Sequence, residues 1–192
     1  MTFDKYQIIR NVINDELVDF LFNYLLLKQK AVRFMYENNI LYDSGLMGTW
    51  SDKQVPNTYS CYADLAMETL LAKGLPVMQR ETGLQLVPTY SYTRVYKQGD
   101  VLLKHKDRPS CEISTTLNLG GDLWPIFLEP NIQVDLMPGD MLIYSGCDLN
   151  HWRDPFEGDV CAQVFLHYNH KNGSFAETNK FDGRAMLGMP AL

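Results

Sequence analysis

Turn signals recur at short intervals along the C-terminal half of the chain, and they restrict this half to short strands. The segments between the turns are rich in Val, Ile, Leu, Tyr and Thr, and most of these residue types favour strands. No helical periodicity interrupts them, so a parallel sheet built from β-α-β units is not expected. This half is therefore predicted to form an all-β sandwich or barrel. The turns lie at residues 98–100, 120–122, 129–131, 138–140 and 157–159, and the predicted strands at 84–96, 113–119, 126–128, 132–136, 141–144 and 160–168.

The N-terminal third has helical periodicity, with apolar side chains three or four residues apart. Asn14 is a suitable N-cap for the first helix, and Gly74 and Gly83 are suitable C-terminal stops for the next two. We therefore expect a single domain of the α+β class, mainly β. The predicted helices span residues 15–38, 61–73 and 75–82. The predicted parts of the domain are a helical support over 1–83, a β core over 84–170 and a polar, Gly-rich tail over 171–192, which is either ordered on the surface or frayed.

Composition excludes several classes of protein. The 192 residues include 46% apolar residues and carry a formal net charge of −6, which excludes a mostly disordered chain and argues against a broad nucleic-acid surface. No apolar run is long enough to cross a membrane, and the first ten residues lack the order of a secretion signal. The four cysteines form no C-x-x-C pair. We expect a cytoplasmic protein with reduced thiols and no membrane partner.

Histidine is the most informative residue type, because the chain has only four. His105 and Asp107 form an H-x-D pair on a predicted strand, where residues two apart share a face. Both side chains can then reach one metal ion, and His151, which follows the turn at 138–140 and the next strand, is a candidate third ligand. Two imidazoles and one carboxylate on one side of a metal are typical of non-haem Fe(II) oxygenases. H-x-D alone is a weak signal, and the alternative for His105 is an ordinary strand histidine.

The surrounding sequence resembles a known family. Residues 94–107 (R-V-Y-K-Q-G-D, then H-K-D) are similar to the first metal-binding region of Fe(II)/2-oxoglutarate-dependent oxygenases, in particular the prolyl-4-hydroxylase-like branch with its small stand-alone bacterial and viral members. The T-L-N sequence at 116–118 before two glycines, the P-G-D turn before His151, and the last strand at 160–168 extend the likeness. The resemblance implies a double-stranded β-helix, or jelly roll, with the N-terminal helices packed on one sheet.

By the same resemblance, His105, Asp107 and His151 hold Fe(II), and 2-oxoglutarate and O2 are cosubstrates, with ascorbate as an optional reductant. Family members carry an Arg or Lys on the last strand that binds the far carboxylate of 2-oxoglutarate, but this chain has Val160 and Cys161 there. A guanidinium suits a carboxylate well. The substitute anchors are Arg153 as first choice and Arg94 as second, and the polar candidates beside them are Tyr96, Thr116 and, more weakly, Gln163.

The implied reaction is hydroxylation of an unactivated C–H bond, coupled to conversion of 2-oxoglutarate to succinate and CO2. A prolyl or other peptidyl side chain is the favoured substrate and a small metabolite the second, while the acidic charge argues against nucleic acid. The alternative outside the enzymes is a non-catalytic cupin-like module that binds a metal or ligand. The loop over residues 42–59 is either a lid over the site or an ordinary surface connection. The oligomeric state does not follow from the sequence.

Overall fold

Two antiparallel β-sheets face each other in the computed structural model, which describes residues 5–40 and 46–190. Each strand pairs with its neighbours in antiparallel register, as the alternating strand and turn signals predict. The larger sheet has six strands, in the spatial order β1 (Tyr6–Ile9), β8 (Met141–Ser145), β5 (Ile113–Gly121), β10 (Val160–His170), β3 (Leu86–Lys97) and β2 (Tyr59–Tyr62). The smaller sheet has four, in the order β4 (Leu102–His105), β9 (His151–Arg153), β6 (Ile126–Leu128) and β7 (Ile132–Val134).

The long strand β10 shows how the two faces of the larger sheet differ. Val164, Leu166 and Tyr168 belong to a core that includes helix residues, whereas Cys161 and Phe165 belong to a second core between the sheets. This alternation follows from the two-residue period of a strand. Cys161 and Phe165 therefore face the interior between the sheets, where they pack with Leu102 of the smaller sheet.

Two helices cover the outer face of the larger sheet. Helix α1 (Asp15–Glu37) begins at Asn14, whose side chain accepts a hydrogen bond from the Leu17 N–H as predicted, and helix α2 (Leu65–Thr82) ends at Gly83 in the left-handed conformation. Their buried residues pack against the sheet core. The predicted fold class, α+β and mainly β with helices on one sheet of a jelly roll, is confirmed.

The predicted helix bounds between residues 61 and 82 are wrong. Cys61 lies on strand β2, and α2 starts at Leu65 and continues through Gly74 and Pro76 as one helix. A Cβ built on Gly74 would lie 3.1 Å from the Tyr168 hydroxyl. Close packing on the sheet therefore explains this glycine better than a helix end does. The N-terminal third also supplies two strands, β1 and β2, which extend the larger sheet at both edges.

The C-terminal segment is packed rather than frayed. It forms a short helix α3 (Ala176–Asn179) and a 3₁₀ turn (Lys180–Gly183). Arg184 follows, almost fully buried, and donates hydrogen bonds to the Glu68 carboxylate and the Thr89 carbonyl. A buried ion pair between residues 116 positions apart fixes this segment to the helical layer.

The helices and the cysteines give two further findings. Within residues 5–40 and 46–190 there is no helix of the length and hydropathy needed to cross a lipid bilayer. All four cysteines carry free thiols.

Candidate metal centre

Three predicted side chains meet between the two sheets. His105 ends strand β4 and His151 begins β9, and the two residues are register partners with ring centroids 4.2 Å apart. Asp107 lies beyond the end of β4, so the prediction that it shares a strand face with His105 is wrong. Its Oδ1 atom is nevertheless 3.6 Å from His105 Nε2 and 3.5 Å from His151 Nε2. One ligand atom of each residue thus converges on a common point.

The backbone fixes which imidazole nitrogens face this point. His105 Nδ1 is 2.7 Å from the Leu103 carbonyl, and His151 Nδ1 is 3.1 Å from the Leu149 carbonyl. A carbonyl only accepts, so each Nδ1 carries the proton and each Nε2 presents a lone pair in the neutral ring. Two lone pairs and a carboxylate oxygen therefore face one another, and a cation is the partner that satisfies all three.

Asp107 is held as an anion by its neighbours. Burial alone raises the pKa of its carboxyl, but the adjacent imidazoles of His105 and His151 outweigh burial and hold the pKa well below its usual range. Its second oxygen, Oδ2, accepts a hydrogen bond of 2.8 Å from the Ser114 hydroxyl, and its N–H donates to the Gly146 carbonyl. A Cβ on Gly146 would lie 2.5 Å from Oδ2, so only glycine leaves room for the carboxylate here. Ser114 and Gly146 therefore fix which oxygen faces the histidines.

A second group of potential ligands, Asp107, Cys111 and His167, lies directly behind the first. Its atoms already have hydrogen-bond partners: Ser114 Oγ is 3.0 Å from His167 Nδ1, and the Tyr90 hydroxyl is 3.1 Å from Cys111 Sγ. Burial lowers the pKa of His167 to about 4, so this ring is neutral. We interpret this group as a hydrogen-bonded support for Asp107.

Arg153 points into the jelly roll from the same strand as His151. Its side chain is 1% exposed and its guanidinium lies 5.0 Å over the Trp124 ring. Nη1 donates to the Trp124 carbonyl, whereas Nε and Nη2 are buried without a hydrogen-bond partner among the described residues. An unpaired buried donor costs about 1–3 kcal/mol, more on a charged group. This first-choice cation thus has two donors free for an anion.

The other polar candidates also carry unpaired atoms. Tyr96 Oη, Thr116 Oγ1 and Gln163 Oε1 are buried, and within the described ranges none has a hydrogen-bond partner. The Tyr96 ring contacts the same Trp124 ring at 4.8 Å, and Gln163 Nε2 lies 3.1 Å from Cys161 Sγ. The hydroxyls of Tyr96 and Thr116 are donors that suit a carboxylate, as the free Arg153 nitrogens are, whereas Gln163 Oε1 is an acceptor.

Arg94, the second-choice cation, is already paired. Its Nη2 donates to Asp52 at 2.5 Å and to Gln54 at 2.6 Å, while its Nε stays buried and unpaired. Burial alone raises the pKa of Asp52, but hydrogen bonds from Tyr92 and Arg94 outweigh it and lower the pKa. Gln54 also contacts His105 Nε2 at 2.8 Å. Arg94 thus ties the loop that contains Asp52 and Gln54 to the site.

This loop is part of the predicted lid over residues 42–59, of which 46–59 are described and 42–45 lie outside the described residues. Together with His105, Asp107 and His151, this loop borders a cavity of about 270 Å³. Four tyrosines (Tyr62, Tyr90, Tyr92 and Tyr144) and Arg108, residues that the sequence analysis did not select, line the same cavity. Because Asp52 and Gln54 border the cavity, the loop is a wall of the site rather than a remote connection.

No protein-family model matches the chain, and no curated protein sequence is significantly similar to it. Solved structures match most of it. A prolyl-4-hydroxylase from Pseudomonas putida aligns over 86% of this chain and 93% of its own, with 14% identity and a TM-score of 0.57. The collagen prolyl hydroxylase of Paramecium bursaria Chlorella virus-1, solved with 2-oxoglutarate, aligns over 86% and 96%, with 13% identity and a TM-score of 0.58. The chain has the fold of the 2-oxoglutarate/Fe(II)-dependent oxygenases.

HygX from Streptomyces hygroscopicus has this oxygenase fold as well, and its structure holds nickel, 2-oxoglutarate and hygromycin B. It aligns over 89% of this chain and 85% of its own, with 12% identity and a TM-score of 0.59. The fold predicted from the sequence resemblance is therefore confirmed, although identities this low show the fold alone.

Within this oxygenase fold, the structure brings His105, Asp107 and His151 together, with Thr116 lining the same cavity. Tyr96 and Arg153 meet at Trp124. Sequence reasoning missed Ser114, Gly146, Asp52, Gln54 and Arg108. Only Arg108 had a signal, because it directly follows Asp107.

Proposed function

We propose that this protein is an Fe(II)/2-oxoglutarate-dependent dioxygenase that hydroxylates an unactivated C–H bond. His105, Asp107 and His151 are its Fe(II) ligands. One observation carries this proposal: both imidazoles donate their Nδ1 protons to backbone carbonyls, so two Nε2 lone pairs and an Asp107 oxygen face one point. Three protein ligands leave the remaining metal positions to other molecules, as a catalytic centre requires.

For the cosubstrate, Arg153 is the cation that binds the far carboxylate of 2-oxoglutarate. Its free Nε and Nη2, with the unpaired hydroxyls of Tyr96 and Thr116, support this role. Cys161, at the position where the family carries its cation, is fully buried and uncharged, so Arg153 is the buried cation on this side of the site. Gln163 gives no support, because its amide nitrogen already donates to Asn118 and Cys161 and its unpaired carbonyl oxygen only accepts hydrogen bonds.

Fe(II), 2-oxoglutarate and O2 supply the oxidation when bound, in which 2-oxoglutarate becomes succinate and CO2 and the substrate gains a hydroxyl group. The residues of this chain would hold the metal and orient the side chains that bind it. Ser114 and Gly146 keep one Asp107 oxygen turned to the metal point, and Leu103 and Leu149 keep both imidazoles in the ligating tautomer. The buried aromatic surroundings of Arg153, including Trp124 and Tyr96, exclude water from the charge that it binds.

The substrate is a prolyl or other peptidyl side chain, in keeping with the two prolyl hydroxylases of the same fold. A small metabolite is the second candidate. It is favoured by the cavity of about 270 Å³ and by the charged side chains of Asp52, Arg94 and Arg108 around it. The formal net charge of −6 argues against nucleic acid.

Turnover of 2-oxoglutarate tests the proposal. The purified protein with Fe(II), ascorbate, 2-oxoglutarate and O2 is expected to form succinate slowly without a substrate to hydroxylate, and His105→Ala is expected to abolish this. His170→Ala is the matched control, because His170 lies at the far end of β10 and outside the metal centre. Equal succinate formation in His105→Ala and the wild type would refute the ligand assignment.

Calorimetry separates the enzyme from a cupin-like binding module. With Mn(II) bound, 2-oxoglutarate is expected to bind to the wild type at one site. Metal binding without any 2-oxoglutarate binding would favour the module and overturn the dioxygenase proposal.

A further inference from the structure

A carboxylate-binding clamp lies at the mouth of the metal cavity. Arg108 and Tyr62 both line the cavity, and both bind the carboxylate of Asp182. The guanidinium donates two parallel hydrogen bonds of 2.8 and 2.7 Å, and the Tyr62 hydroxyl donates a third of 2.7 Å. The guanidinium also stacks on the Tyr90 ring at 4.6 Å. The paired N–H donors of the guanidinium, the phenol hydroxyl and the face of an aromatic ring together form a complete site for one carboxylate.

The chain's own carboxylate reaches this clamp at a cost. Phe181 and Asp182 have φ angles of 51° and 57°, so two consecutive non-glycine residues adopt the left-handed conformation. The left-handed conformation is unfavourable for residues that carry a Cβ. The Arg108 side chain is 51% exposed, and an ion pair with one partner in water contributes little to stability. Backbone strain therefore offsets much of what the pair contributes.

The segment does not need the clamp to stay in place. Two residues further on, the buried Arg184 side chain binds Oε2 of the buried Glu68 carboxylate, and the Gly188 N–H donates to the same oxygen. Asp182 can thus leave Arg108 without release of the C-terminal segment. The contact between Arg108 and Asp182 can open while the buried pair between Arg184 and Glu68 stays closed.

We propose that Arg108, Tyr62 and Tyr90 form the subsite for a carboxylate group of the substrate, and that Asp182 fills this subsite until the substrate displaces it. The inference rests on the proposed function, since it places the substrate in the cavity of the metal centre. The substrate class is a molecule with a carboxylate near the C–H bond that is oxidised. A free amino acid and the C-terminal end of a peptide both present this chemistry.

The test compares acids with their amides as probes. N-acetylproline and N-acetylprolinamide represent the chain end, and proline and prolinamide the free amino acid. Each is titrated by calorimetry into the wild type, Asp182→Asn and the double variant Arg108→Gln/Asp182→Asn. Asn keeps the side-chain size and tolerates the left-handed backbone, and Asp182→Gly, which suits the same backbone, is the second variant if Asp182→Asn unfolds.

Loss of the internal competitor is expected to strengthen the binding of at least one acid in Asp182→Asn about tenfold over the wild type. That acid is expected to bind about tenfold more tightly than its amide, and Arg108→Gln to remove this preference. Whichever acid binds identifies the source of the carboxylate. Equal binding of acids and amides in Asp182→Asn, including no binding of either, overturns the proposal.

A second readout locates the probe and separates the two proposals. With Mn(II) and 2-oxoglutarate bound, the metal is expected to broaden the proton resonances of the bound acid, because the clamp and the ligands line one cavity. If only the clamp proposal is wrong, succinate formation and its dependence on His105 are unaffected. If only the proposed function is wrong, succinate formation and the broadening are absent, while calorimetry still shows the preference for acids.

Discussion

Arg153 follows His151 by two residues on strand β9, and both side chains point into the space between the two sheets. One three-residue strand therefore carries a candidate metal ligand and the only cation with two unpaired buried nitrogens among the described residues. The pleat of the strand fixes the relation between them.

Replacement of Arg153 separates the two candidate anchors. Arg153→Gln is expected to weaken 2-oxoglutarate binding about a hundredfold, since removing one partner of a buried charge pair costs about 2–5 kcal/mol. Arg94→Gln is the matched control and is expected to change it less than about threefold, because Arg94 is committed to Asp52 and Gln54. Calorimetry with Mn(II) present measures both. A larger effect of Arg94→Gln would reverse the assignment.

Removal of the Ser114 hydroxyl tests the support of Asp107. Ser114→Ala frees Oδ2 of the carboxylate and is expected to weaken Mn(II) binding about tenfold. Thr115→Val is the control. Thr115 is equally buried on the next position of β5, but its hydroxyl accepts the Leu166 N–H instead of facing Asp107. Electron paramagnetic resonance of free Mn(II) gives both affinities. Equal Mn(II) affinity in the two variants would contradict the positioning role.

The Glu68 carboxylate joins the C-terminal segment to the helical layer. Glu68→Ala leaves the Arg184 guanidinium buried without its anion, and is expected to lower the free energy of unfolding by about 3–5 kcal/mol. Glu81→Ala on the same helix removes a more exposed pair with Arg80 and is expected to cost less than about 1 kcal/mol. Urea denaturation measures both. A small effect at Glu68 would mean that the segment is only loosely attached.

Packing of the helices on the larger sheet is tested at Leu71. This side chain is fully buried in the core that joins α2 to the sheet, so Leu71→Ala is expected to cost about 2–5 kcal/mol. Leu27→Ala on α1 is the comparison, because Leu27 is 68% exposed, and its expected cost is within about 0.5 kcal/mol. Thermal and urea unfolding give the difference. An equal loss of unfolding free energy in the two variants would mean that the helices do not unfold together with the sheet.

The strands of the β core were predictable because turn residues and alternating apolar positions are local signals. Residues 126–128 were predicted as a strand and form β6 with the same bounds. The cluster of His105, Asp107 and His151 was predictable because these residue types are rare or paired in the sequence and their spacing resembles a family pattern. In both cases the information lies within a few neighbouring residues.

Other features depend on contacts between distant residues. Helix α2 continues through Gly74 and Pro76 because packing on the sheet stabilises it more than two weak helix formers destabilise it. Residues 171–190 look like a tail in composition, and only the contact of Arg184 with Glu68 shows that they are packed. Ser114 has an ordinary strand sequence around it, and its role depends on Asp107 arriving from another loop.

The placement of Arg153 on β9 has an evolutionary consequence. A cation on the last strand is separated from the distal histidine by a connecting loop, so any insertion there shifts the spacing between the two. Here the loop over residues 154–159 follows Arg153, and it is free to vary in length while the proposed anchor and the candidate metal ligand keep their separation. Relatives of this chain are therefore expected to share a His-x-Arg signature and to diverge most in the loop that comes after it.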